Sequence, residues 1–117
     1  MKIVVAGGRD FSNKDVMFQC LDKYIKDDTI ISGHASGADS LGEEYAKLHH
    51  LPCEIYPAQW DIYGKSAGPI RNELMAKIAD KVILFWNGKS RGTYNMYSMA
   101  KKYNKKVLVF NYEGKLM

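Results

Sequence analysis

The sequence is poor in arginine, in cysteine and in long apolar stretches, and each shortage narrows what the chain can do. Only Arg9, Arg71 and Arg91 carry guanidinium groups among 117 residues. A nucleic-acid binder more often presents an arginine-rich stripe with interleaved aromatics, so the formal charge of +4 reads as a modest attraction for anions. Lysine supplies most of that charge and is dispersed, with one tight group at Lys101, Lys102, Lys105 and Lys106 that reads as a solvated face. The two cysteines, Cys20 and Cys53, have no Cys-x-x-Cys spacing and are expected to be reduced thiols. Apolar runs such as Val82-Ile83-Leu84-Phe85-Trp86 are too short to cross a bilayer, and residues 1–10 lack the architecture of a cleavable signal. A cytoplasmic location with no membrane partner is the expectation.

What is present is the composition of an ordinary soluble globule, 46% hydrophobic and 26% charged, at a length that favours one domain over residues 1–117. Residues 2–6 form a β-branched apolar run ending on Gly7-Gly8, as expected of a strand buried on both faces. Ser12, three residues before Asp15, suggests a helix start, and Val16, Cys20, Leu21, Tyr24 and Ile25 then recur at helical spacing. The alternation repeats. Strands are expected at Thr29–Ser32, about Pro52–Tyr56, Lys81–Trp86 and Lys106–Phe110. Helices are expected on the apolar lines Leu41/Tyr45/Leu48, Ile70/Leu74/Ile78 and Met96/Ala100/Tyr103. Short connections between alternating elements predict a three-layer α/β sandwich, Rossmann-like, with a mostly parallel central sheet of about five strands. The one long connection, residues 57–68, carries tryptophan, tyrosine and proline and reads as functional.

Ligands of such sheets bind beyond the carboxyl ends of the strands, where backbone amides at helix starts favour negative charge. Three glycine-bearing loops fall there, beginning at Gly7, Gly33 and Asn87. Two decoys are discarded. Gly64-Lys65-Ser66 and Gly88-Lys89-Ser90 resemble the end of a phosphate-binding P-loop, yet the upstream glycine position holds Gln59 in one and Ile83 in the other. The first turn also lacks a complete dinucleotide fingerprint. No cluster has metal-ligand spacing, and neither a metal nor a cofactor is expected.

Four segments carry a family resemblance: Ala6-Gly7-Gly8-Arg9-Asp10-Phe11, Ser32-Gly33-His34-Ala35-Ser36-Gly37-Ala38-Asp39, Tyr56-Pro57-Ala58-Gln59-Trp60, and Ala67-Gly68-Pro69-Ile70-Arg71-Asn72-Glu73-Leu74-Met75. Together they resemble the YspA-type branch of the SLOG superfamily, whose relatives include the DNA-processing Smf/DprA proteins and the LOG phosphoribohydrolases. The resemblance implies a pocket for a nucleotide or nucleotide-derived signal. Residues nominated as ligand contacts are Gly7, Gly8, Arg9 and Asp10 in the first loop and Gly33, His34, Ser36, Gly37 and Asp39 in the second. Trp60, Arg71, Asn72, Asn87, Gly92 and Thr93 complete the set. Glycines let backbone approach phosphate, and Arg71 can grip one with two parallel bonds. Gly92-Thr93 is similar to the glycine-threonine step of the LOG motif, but the position of that motif's catalytic glutamate holds Met96, which cannot transfer a proton.

Several residues support two readings. Arg71 serves as a phosphate clamp or a surface cation. Asp39 is a ribose acceptor or a helix-start carboxylate, and Trp60 a base-stacking platform or a core lid. His34 is a phosphate donor, a proton shuttle or a bystander. The leading expectation is a binding module that senses or sequesters its ligand. One alternative is a LOG-like hydrolase with Glu73, a weak catalytic candidate, or Asp39 in place of the missing glutamate. A second is single-stranded DNA binding through the lysine-rich last helix. A homo-oligomer is expected, with Met96 and Met99 either a surface for association or part of the core.

Overall fold

A computed structural model describes all residues, 1–117, and its central feature is a five-stranded sheet in the order β3-β2-β1-β4-β5. The strands are β1 (Lys2–Gly7), β2 (Thr29–Ser32), β3 (Cys53–Ile55), β4 (Lys81–Phe85) and β5 (Lys106–Phe110). Every pairing is parallel, with Val4 beside both Ile31 and Val82 at the centre. Parallel neighbours need crossovers, and these are α1 (Lys14–Tyr24), α2 (Ala38–Leu48), α4 (Ala67–Ile78) and α5 (Arg91–Lys102). A short helical segment, α3 (Trp60–Tyr63), and a 3-10 turn at Gly64–Ser66 lie within the long connection before α4.

The strands alternate their side chains between two cores. Ile3, Val5, Ile30, Ile83, Phe85 and Phe110 face α1 and α2, whereas Val4, Ala6, Ile31, Val82 and Leu84 face α4 and α5. Three layers result, and the chain changes side of the sheet after β3, between α2 and α4. The crossovers from β1 run one way along the sheet and that from β4 runs the other, which opens a crevice at their carboxyl ends. All four long helices end on lysines at the opposite edge of the sheet, at Lys23, Lys47, Lys77 and Lys101/Lys102, where the helix dipole favours cations. The exposed flank of β5 is partly covered by the chain end, whose Met117 amide donates to the Val109 carbonyl at 2.8 Å.

Local chemistry departs from the sequence reading at two places, the α1 cap and the buried face of α4, and decides between two readings at Met96 and Met99. Asn13, not Ser12, caps α1, its side-chain oxygen accepting from the Val16 amide at 3.3 Å. In α4 the buried face is Ala67, Gly68, Asn72, Met75 and Ala76, while Ile70 and Leu74 remain exposed. Small residues let α4 lie close to its neighbours, and a hydrophobic-spacing rule gives such residues little weight. Met96 is buried and Met99 is partly buried against the same core, so this pair forms no free association surface. No helix is long and apolar enough to cross a membrane.

Candidate functional site

The crevice at the carboxyl ends of β1 and β4 has a volume of about 560 Å³, within the range of roughly 300–1,000 Å³ typical of small-molecule sites. Its walls come from the turn after β1, the first turns of α2, α4 and α5, and Trp60; Met75 and Met96 contribute the apolar lining. Gly7, Arg9, Asp10, Asp39, Trp60, Arg71, Asn72, Asn87, Gly92 and Thr93 of the nominated set are brought together there. Gly33, His34 and Ser36 line an adjoining recess that shares Arg9, Trp60 and Arg71 with it.

Gly8 and Gly37 lie behind the wall. The Gly8 amide donates to the Phe85 carbonyl at 3.0 Å, and the Gly8 carbonyl accepts from the Phe11 and Ala38 amides. Gly37, at φ +76°, seats itself on the Gly8-Arg9 turn. Gly37 thus packs backbone on backbone and brings the first and second loops to one rim, whereas the space beside Gly8 is taken by the Tyr112 hydroxyl.

The guanidinium of Arg71 is half-buried and points inward. Its Nη1 donates to the Gly33 carbonyl at 2.5 Å and the Tyr56 carbonyl at 3.4 Å, and its Nε donates to the Asn72 side chain at 2.9 Å. Gly33 has no side chain because a Cβ there would fall on that guanidinium. Asn72 in turn donates to Asn95 Oδ1 at 2.9 Å, tying α4 to α5. Neither Arg9 nor Arg91 forms an ion pair. All three arginines of the chain therefore line one cavity; none is ion-paired, and Arg71 alone is held by side-chain hydrogen bonds.

The first turn of α5 forms one wall. Ser90 caps it, its hydroxyl accepting from the Thr93 amide at 3.3 Å and the Thr93 hydroxyl at 2.9 Å. Asn87 folds the preceding loop by accepting from the Lys89 and Ser90 amides, each at 2.8 Å. The Arg91 and Gly92 amides have no partner in the chain and stand at the positive end of the helix dipole.

Two carboxylates face this cationic surface. Asp10 is held by the Tyr112 hydroxyl. Asp39 is 4% exposed and accepts from the Ala35 amide at 3.2 Å, so it braces the second loop instead of capping α2. Burial pushes its carboxyl up to about 6, against the opposing pull of that amide and of Arg71, with Glu43 adding to the rise. His34, at φ +62°, is held outside by Glu43, 3.0 Å from its Nδ1. Trp60 is 50% exposed at the rim, so it is not a core lid.

Glu73 does not reach the crevice. It accepts from Lys102 at 2.8 Å and from the Tyr103 hydroxyl at 2.7 Å, and both contacts hold its carboxyl below the usual range. Substitution Glu73→Gln is expected to leave affinity for any crevice ligand unchanged in a calorimetric titration; a tenfold loss would require this carboxylate to act at the site. Sequence reasoning missed Ser90, Arg91 and Asn95. A serine immediately before the helical run was a readable cap signal for the first, whereas the others depend on α4 meeting α5.

Fold and crevice define a Rossmann-like α/β domain with an arginine-lined cavity at its switch point. Within that class the chain belongs to the YspA, cpYpsA-related SLOG family, whose family model matches residues 1–63. It is 25% identical over 119 residues to the gene 61 protein of Mycobacterium phage D29, covering 93% of this chain and 95% of the phage protein. The fold is shared with DNA processing protein A (DprA) of Streptococcus pneumoniae, at TM-score 0.72 and 19% identity over 93% of this chain. It is shared also with DNA processing protein A of Helicobacter pylori, whose structure is described for its single-stranded DNA binding mode, at TM-score 0.70 and 22% identity over 94% of this chain. The chain spans 50% of the first structure and 65% of the second.

Proposed function

We propose that the protein binds a nucleotide in the switch-point crevice, with a phosphate at the first turn of α5 among Arg9, Arg71 and Arg91 and a base toward Trp60. The observation that carries this reading is the convergence of every arginine in the chain on one cavity. Guanidinium groups pair with phosphate through parallel N–H bonds, and the Arg91 and Gly92 amides add donors on the same side. The binding would serve to sense or sequester the ligand. A LOG-like hydrolase finds less support, since Glu73 is turned away, Met96 lines the cavity, and Asp39 is buried and taken up by the Ala35 amide.

The same crevice suits a nucleotide within a single strand of DNA, and the fold shared with the two DNA processing proteins favours that reading over an isolated signal molecule. The strand would follow the arginine rim, because Lys101 and Lys102 end α5 at the far edge of the sheet. Calorimetry with dAMP is the direct test. Arg91→Ala, at an exposed and unpaired position, is expected to weaken dAMP by about tenfold, the scale of one charge-assisted contact. Loss of affinity with rising salt should accompany it, and oligonucleotide affinity should fall more steeply with salt than that of dAMP. Absence of binding by dAMP and by oligonucleotide alike would overturn both readings.

A further inference from the structure

On the other side of the first turn of α5 lies a second, apolar cavity of about 270 Å³, lined by Leu84, Trp86, Tyr94, Tyr97 and Val109, with Met117 at its edge. Thr93 lines both cavities, so one helical turn separates an arginine-lined chamber from an aromatic one. Trp86, Tyr94 and Tyr97 form a ladder of rings with centroids 6.1 and 6.2 Å apart and planes within 33° of each other. The indole is fixed, its Nε1 donating to the Ser90 carbonyl at 3.0 Å, whereas Tyr94 is 57% exposed. Cations lie on either side: Arg91 lines the neighbouring cavity across the shared turn, and the Lys101 ammonium lies 5.9 Å from the Tyr97 ring. No aspartate or glutamate side chain lines the cavity.

Its size decides what it holds. A space of 270 Å³ falls below the roughly 300 Å³ at which drug-sized ligand sites begin, so it takes a single ring system and not a whole nucleotide. A planar group with π-faces suits the ladder, and the flanking cations suit an anion attached to it. The cavities share Thr93, so a ligand that occupies both passes over the single turn at the start of α5.

We propose that this aromatic cavity is a second base site, so that the preferred ligand carries two bases joined through a phosphate, with that phosphate at the Arg91 turn. The proposal rests on the nucleotide reading of the crevice and adds the substrate class: a dinucleotide or a longer single strand. The phosphate lies on the polar side of the Ser90-Arg91 turn, one base is directed toward Trp60, and the other rests on Tyr94.

The test compares dAMP, pdApdA and a longer oligo-dA strand by calorimetry, together with fluorescence of a Trp60→Phe variant in which Trp86 is the sole indole. Expected are affinity about tenfold higher for pdApdA than for dAMP, quenching of Trp86 by pdApdA, and loss of the tenfold gain in Tyr94→Ala. A further gain for the longer strand identifies single-stranded DNA as the source of the chemistry; equal affinity identifies a dinucleotide. Equal binding of dAMP and pdApdA, an unquenched Trp86, or a gain that survives Tyr94→Ala overturns the second site alone. If neither dAMP nor pdApdA binds, the crevice reading falls with it.

Discussion

Gly37→Ala is expected to lower the unfolding free energy by about 3 kcal/mol and to remove ligand binding, because two penalties coincide at this position. The first is conformational. At φ +76° and ψ −125° the backbone lies outside the left-handed helical well, in a region open essentially to glycine, so an alanine there costs about 1–3 kcal/mol. The second is steric. An added Cβ would fall on the Gly8 carbonyl oxygen and within 2.5 Å of that of Arg9, and both are backbone atoms. They cannot withdraw without breaking the bonds from Phe11 and Ala38 to Gly8 and from Gly8 to Phe85. Gly88→Ala supplies the control, since Gly88 has φ +82° but nothing within 4 Å of an added Cβ. Urea unfolding of the two variants separates conformation from packing. Equal losses would mean that the loops are not interlocked through Gly37.

That interlock explains why the candidate site was only partly legible in the sequence. The buried strands announce themselves through runs such as Ile3-Val4-Val5 and Val82-Ile83-Leu84, and alternation with helices implies a parallel sheet whose ligand edge is the carboxyl one. The three loops are therefore readable one at a time. Which strands are neighbours is not. Arg9, Arg71 and Arg91 meet only because β4 pairs with β1 rather than with β3, a choice set by crossover packing and not by any local pattern. The same dependence hid the partners of Glu73 and Asn72, which lie on or just beyond α5. In α4 the hydrophobic spacing misleads, because Asn72 occupies the buried stripe while Ile70 and Leu74 do not. A polar residue on a packed face is usual where a helix lines a cavity, and there a pattern of apolar spacing has least to say.

Asp39 should make both stability and ligand affinity depend on pH between about 4 and 7. Its carboxyl titrates near 6 in the folded chain because burial disfavours the charged form, against an ordinary value of 3.8. A folded value above the unfolded one means that the native state holds the extra proton in this window. The contribution of Asp39 to stability is therefore greatest below about pH 4 and declines as pH rises through 6, by about 3 kcal/mol in all. Asp39→Asn should flatten that decline, which urea titrations at intervals from pH 4 to 7 would reveal; parallel wild-type and variant curves would remove Asp39 as the source. Binding follows the same sign. A phosphate brought among Arg9, Arg71 and Arg91 meets the Asp39 charge within the cavity, with Glu43 behind it, and protonation relieves the repulsion. Affinity for a phosphodiester should consequently rise about tenfold from pH 7 to pH 5, with proton uptake on binding. A cyclic nucleotide is the suitable probe because its phosphate holds a constant charge over this range. In Asp39→Asn the affinity should stay level with pH and match the wild-type value at pH 5, since the variant keeps an acceptor for the Ala35 amide while carrying no charge.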